Sequence, residues 1–342
     1  MRYYAAPLLG FPAGAFDAHG EGYDWAESAA ERGRLLMRTG KSLAPVGGPT
    51  GVSRATDGRL SFLWLEITGR CQLACRHCYA ESGPRGTHGS MTTSEWMRVI
   101  DEAGDLGALT ALFIGGEPTL HPDLPALIGH ALGEGMQVEV FSNLVHVAEH
   151  LWRILESPGV RLATSYYSPD AKEHDAVTGR RSHDRTLANI REALRRGIPV
   201  RAGIVAMRDD QRVRDAAREL AELGVADVNV DRVREVGRGV RHQQPGLEQL
   251  CGACAGDKLA VSSTGDVWPC VFARWLVLGN VQRSSLADIH GGQVASSVRA
   301  TMSAAFAARG VEGPRACGPD DGSPGPGPCD PHYNCPPFKP RS

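Results

Sequence analysis

The run Cys71-Gln-Leu-Ala-Cys75-Arg-His-Cys78-Tyr79 decides how this chain is read. It follows a strand-like apolar stretch, Leu60-Ser-Phe-Leu-Trp-Leu-Glu-Ile67. A four-iron cluster ordinarily takes four cysteine thiolates. Three thiolates on one tight loop can therefore hold three irons and leave the fourth open, as a place to bind and activate a ligand. Zinc also accepts cysteines spaced two to four residues apart, so on this loop alone both metals stay in view.

Outward from that loop, short apolar runs alternate with helical ones. Strands are expected at Phe62–Ile67, Ala108–Ile114, Gln137–Ser142, Arg161–Ser165, Val200–Ala206 and Asp227–Val233. Helices are expected between them, near Thr93–Leu106, Leu124–Glu134, Val147–Leu155, Asp184–Arg196 and Arg212–Leu223. Strands that alternate with helices imply a parallel sheet, since each parallel connection needs a crossover. Six such units make an α/β partial (β/α)6 barrel, smaller than the closed eight-unit form. Functional residues in such sheets gather at the C-terminal ends of the strands. Three parts follow: an N-terminal extension over 1–58, the barrel over 59–240 and a cysteine-rich part over 241–342. The extension holds one amphipathic helix, near Asp24–Met37, and no motif of readable function.

At 342 residues, 42% hydrophobic and 22% charged, the composition is that of a globular protein. A net charge of −2 gives no general pull towards nucleic acid or acidic membranes. No apolar run reaches transmembrane length. The first residues lack the basic, apolar and small-residue order of a signal peptide, so the expected compartment is the cytoplasm.

Nine cysteines fall in two groups, three in the opening loop and six from Cys251 onward. A secreted disulfide scaffold would be short and cysteine-dense throughout; two separated groups read as metal ligation. Cys251, Cys254 and Cys270 flank Leu259-Ala-Val-Ser-Ser-Thr-Gly-Asp-Val-Trp-Pro269, which reads as a β-hairpin turning at Thr-Gly-Asp. A hairpin brings cysteines at its two ends together. Cys317, Cys329 and Cys335 lie in a Pro/Gly-rich tail that metal would order. The hairpin cysteines also suit a zinc ribbon. His130, His146 and His150 read as surface residues with no carboxylate or cysteine cluster beside them.

CxxxCxxC with a following aromatic resembles the signature of the radical S-adenosylmethionine (radical SAM) enzymes. The resemblance implies a [4Fe-4S] cluster on Cys71, Cys75 and Cys78, with SAM at the open iron. Gly115-Gly116-Glu117-Pro118 resembles the family's GGEP motif beside the SAM amino group, where glycines admit a close ligand and a carboxylate suits an ammonium. Ser142 and Asn143 match its ribose-contacting pair, Ser165 its serine near the SAM carboxylate, and Ala202-Gly203-Ile204-Val205, Ile204 above all, its apolar strand against adenine. Glu173-His174-Asp175-Ala-Val-Thr178-Gly179 resembles its HDxxRG stretch, with Thr178 where arginine is common and Arg180 or Arg181 as substitutes. Asp231–Gly239 resembles the Gly-Arg end of the sixth strand, whose basic side chains reach towards SAM or substrate.

The later cysteines resemble those of a SPASM or Twitch extension. They imply one or two auxiliary [4Fe-4S] clusters on Cys251, Cys254, Cys270, Cys317, Cys329 and Cys335, with Asp330 or His332 as further ligands for a second. The implied activity is reductive cleavage of SAM to a 5′-deoxyadenosyl radical that abstracts hydrogen from a substrate. That substrate is expected to be a ribosomally made precursor peptide undergoing crosslinking or epimerisation in natural-product biosynthesis. A small metabolite such as a sugar or nucleoside is the alternative, as substrate of a dehydrogenase, epimerase or decarboxylase. A non-enzymatic iron–sulfur or zinc protein is the reading of another class. An electron donor such as flavodoxin or ferredoxin is the further implied partner, with neither nucleic acid nor membrane expected.

Overall fold

A computed structural model describes residues 59–241, 244–250 and 256–308. Six strands are parallel and lie side by side in chain order: β1 (Phe62–Thr68), β2 (Thr110–Gly115), β3 (Gln137–Phe141), β4 (Val160–Tyr166), β5 (Val200–Ala206) and β6 (Asp227–Arg232). Between them run α1 (Thr93–Asp105), α2 (Leu124–Gly133), α3 (Glu149–Leu155), α4 (Ala171–Thr178), α5 (His183–Arg195) and α6 (Val213–Glu222). This is the expected partial barrel.

All seven residues of β1 are buried, as suits a strand covered on both faces. Its alternate residues Leu63, Leu65 and Ile67 join the core under the helices. Phe62 and Trp64 join a second core on the opposite face. In α1, Trp96, Val99, Ile100 and Ala103 make the buried stripe, and a capping box of Thr92 with Glu95 starts the helix. The helix α4 lies within the stretch read as a motif rather than an element. Asp170 caps its first turn, and Gly179 ends it in the left-handed region at φ 71°.

The expected hairpin forms, from β7 (Lys258–Ser262) and β8 (Asp266–Trp268). It extends the same sheet: β7 pairs parallel with the free side of β1, followed by β8 and β9 (Gly279–Asn280) in antiparallel pairing. The helices α7 (Leu286–Gly291) and α8 (Gln293–Ala308) follow. Trp268, Cys270, Met302 and Phe306 pack with Phe62, Trp64 and Phe141, so this segment fills the inner side of the partial barrel.

Candidate active site

The Cys71–Cys78 loop follows β1 and is strapped from two sides. The end of α4 accepts from it, through Ala74 N–H to Thr178 O at 3.0 Å and Arg76 N–H to Val177 O at 3.1 Å. The chain after β6 holds the other side. Arg238 N–H donates to Cys78 O at 3.0 Å, while its guanidinium donates to Cys75 O at 2.9 Å and Ser82 O at 2.8 Å. Gly237 has φ 56°, and a Cβ there would stand 2.3 Å from Tyr79 O. Only glycine lets the two segments lie that close.

Cys71, Cys75 and Cys78 line one cavity with Gly115, Gly116, Asn143 and Ser165, all at or just beyond strand C-termini. A Cβ on Gly115 would come within 2.4 Å of Thr68 O, and one on Gly116 within 2.2 Å of Arg70 O. Asn143 reaches towards the loop. Its Oδ1 accepts from Gln72 Nε2 at 3.0 Å, and its Nδ2 lies 3.6 Å from Cys71 Sγ.

Three of the expected residues are not in the cavity lining. Glu117 is fully buried and outside the cavity lining. Its carboxylate accepts from Ser142 Oγ at 2.7 Å, Asn143 N–H at 2.8 Å, Thr119 N–H at 3.1 Å and Thr119 Oγ at 2.7 Å. Glu117 and Ser142 thus pin the β3 terminus that presents Asn143. Ile204 packs in the core under the helices, and Val205 lines the cavity in its place. The reason is the two-residue alternation of a strand, which turns neighbours to opposite faces.

The basic residues after β6 are mostly committed. Arg234 pairs with Asp231 at 2.9 Å and donates to Gln249 O at 2.6 Å. Arg238 straps the loop, and Arg232 lines the cavity. Arg180 and Arg181 are exposed and outside the cavity lining, and Thr178 is buried with its hydroxyl 2.8 Å from Ser182 Oγ. Asp175 of the same stretch accepts from Ser182 N–H and His183 N–H, at 2.8 and 3.0 Å, at the start of α5.

Sequence reasoning missed His77, Tyr167 and Phe272 in the lining. The Tyr167 hydroxyl lies 3.3 Å from His77 Nε2, and its ring meets His174 edge-on at 5.3 Å. A polar aromatic just past the end of β4 was the available signal for Tyr167. Burial dominates the electrostatics. It pushes the Cys71 thiol up to about 12, with the nearby Glu117 carboxylate adding to the effect, and it raises Cys75 as well. Burial also holds His77 and His174 down at about 4, so both imidazoles are neutral near pH 7. Glu117 is raised by burial against the pull of its four donors.

Cys270 is buried just after β8, and Phe272 beyond it meets Tyr79 edge-on with ring centroids 5.3 Å apart. Cys251, Cys254, Cys317, Cys329 and Cys335 lie outside the described residues, as do Asp330, His332 and the expected helix near Asp24–Met37. His146 and His150 are exposed. His130 corrects its expectation: its Nε2 lies 2.5 Å from Asp101, and Glu134 completes a three-residue group. The approach of α1 to α2 brings these residues together, and spacing along one helix does not reveal it.

Residues 65–221 match the radical SAM superfamily, and residues 251–317 match SPASM, an iron-sulfur cluster-binding domain. Over 210 residues the chain is 30% identical to the PqqA peptide cyclase of Xanthomonas campestris pv. campestris (strain B100), covering 59% of this chain and 55% of that one. Over 198 residues it is 29% identical to the PqqA peptide cyclase of Streptomyces rochei, covering 55% and 53%. The chain spans about half the length of these curated relatives. Among solved structures, Streptococcus suis SuiB bound to precursor peptide SuiA matches with a TM-score of 0.62 at 16% identity, over 80% of this chain and 78% of that one. anSMEcpe with bound AdoMet matches with a TM-score of 0.55 at 14% identity, over 70% and 82%. At such identities these two likenesses concern the fold. Among the described residues no helix is long and apolar enough to cross a membrane.

Proposed function

The chain belongs to the radical SAM superfamily and carries a SPASM iron-sulfur cluster-binding domain, and from that premise we propose that it matures a ribosomally made peptide by radical chemistry. The observation that carries the reading is the convergence of Cys71, Cys75 and Cys78 with Gly115, Gly116, Asn143 and Ser165 on one cavity. The donor set suits an iron–sulfur cluster. Burial keeps the free Cys71 and Cys75 thiols protonated, so binding of metal there would be coupled to release of their protons. When present, the cluster and SAM supply the 5′-deoxyadenosyl radical.

The chain's own residues then position and exclude. Gly115 and Gly116 let the turn after β2 lie against Thr68 and Arg70 and line the cavity that would take SAM, Glu117 holds Ser142 and Asn143 in place, and Tyr167 and Val205 wall the cavity. Cys270, with Cys251, Cys254 and the tail cysteines, would hold auxiliary iron. The domain limits 59–240 and 241–342 stand as the corresponding proposal. Support for a peptide substrate comes from the peptide cyclase relatives and the peptide-bound SuiB neighbour. The electron would come from a flavodoxin or ferredoxin.

The test is 5′-deoxyadenosine release by anaerobically reconstituted protein. Reductant-dependent product is expected, and a Cys71→Ala, Cys75→Ala, Cys78→Ala variant should give none. Equal product from that variant would overturn the reading.

A further inference from the structure

A second groove meets the cysteine loop at Arg76. Its lining includes Arg76, Arg208, Arg238 and Arg241, over an apolar floor of Val177 and Val233. Its acidic residue, Glu173, pairs with Arg208 at 3.3 Å, and Arg208 also pairs with Asp210 at 3.0 Å, which leaves Arg76, Arg238 and Arg241 as the groove's basic side chains without a carboxylate among the described ion pairs. Arg76 is exposed, stands one residue from Cys75 and two from Cys78, and makes no ion pair among the described residues. The exposed Arg241 guanidinium donates to Met207 O at 3.4 Å, a neutral partner. Two more exposed arginines, Arg180 and Arg181, follow the α4 terminus whose carbonyls bind the loop. The whole chain carries a net charge of −2, so this basic collar is a local feature.

We propose that this groove is the docking surface of a small acidic electron-carrier protein serving the cysteine loop. The inference rests on the radical SAM reading, which requires an electron from outside. Positive surfaces speed the encounter with acidic partners by about 10- to 1,000-fold, and charge complementarity sets partner choice as well as on-rate. The groove shares Arg238 with the cavity but is otherwise lined by different residues. A carrier can therefore dock while the cavity holds SAM and substrate. In the transfer, one electron leaves a flavin hydroquinone anion, giving the neutral semiquinone, and reduces the oxidised cluster.

The test uses an Arg208→Ser, Arg241→Glu variant of the cluster-loaded protein in anaerobic stopped flow, following the visible absorbance of the oxidised cluster. Two reductants are compared: hydroquinone flavodoxin, an acidic protein, and reduced methyl viologen, a small cation. The variant should lose about tenfold or more in rate with flavodoxin at low salt, with a flatter salt dependence, while keeping its iron content and showing no slowing with viologen. An unchanged flavodoxin rate, or equal slowing with both reductants, would overturn the proposal. An unchanged flavodoxin rate with weakened binding of a glutamate-rich peptide would assign the groove to an acidic peptide instead. Failure of the underlying reading looks different, because the unmodified protein would then yield no deoxyadenosine with viologen.

Discussion

Glu117 shows how one side chain can match a motif and serve it indirectly. Its residue type and place after β2 were legible, but its orientation was not. Four donors from residues 119, 142 and 143 occupy the carboxylate. Glu117→Gln replaces one acceptor oxygen by an NH2 facing one of those donors. The expected cost is about 1–3 kcal/mol in urea unfolding, with weaker SAM binding as Asn143 is released. His174 sets a pH dependence. Burial lowers it from 6.5 to about 4, so between those values the unfolded chain takes up a proton that the folded one refuses. Stability is full above pH 6.5 and falls on acidification towards pH 4, by about 3 kcal/mol. His174→Phe should flatten that acid limb; an unchanged slope of unfolding free energy against pH would show that other groups carry it.

Among the elements, α1 was legible nearly to the residue, because a capping box and a helical apolar stripe are local signals. Thr92→Ala should cost about 1 kcal/mol in denaturant unfolding without altering iron content. The helix α4 escaped the sequence reading for a physical reason. Its eight residues bury only His174, Val177 and Thr178, too few for a period to show. The strap after β6 is the element whose loss should reach the site. Gly237→Ala places a Cβ on Tyr79 O and demands φ 56° of an alanine. The expected outcome is displacement of the cysteine loop, read as reduced iron per protein after reconstitution. A substitution at the similarly left-handed Gly197, where a Cβ meets nothing within 4 Å, should leave iron unchanged.

Across the whole molecule, the nine-stranded sheet makes the hairpin segment part of the barrel's own packing. A chain ending at Leu250 would bare the β1 edge and the inner core of Phe62, Trp64 and Phe141. Such a truncation should aggregate on size-exclusion chromatography; a monodisperse product would mean that the barrel closes without β7. By itself, the sequence determined the six alternating units, the three cysteines of the loop and the hairpin between Cys254 and Cys270, since spacing and periodicity are properties of neighbours in the chain. Tertiary structure alone decided that β7 lies beside β1, that Val205 and not Ile204 meets the cavity, and that Arg238 is spent on the loop. Those outcomes depend on partners far apart in sequence, 163 residues for Arg238 and Cys75. Local periodicity carries no record of which distant donor will satisfy a buried carbonyl.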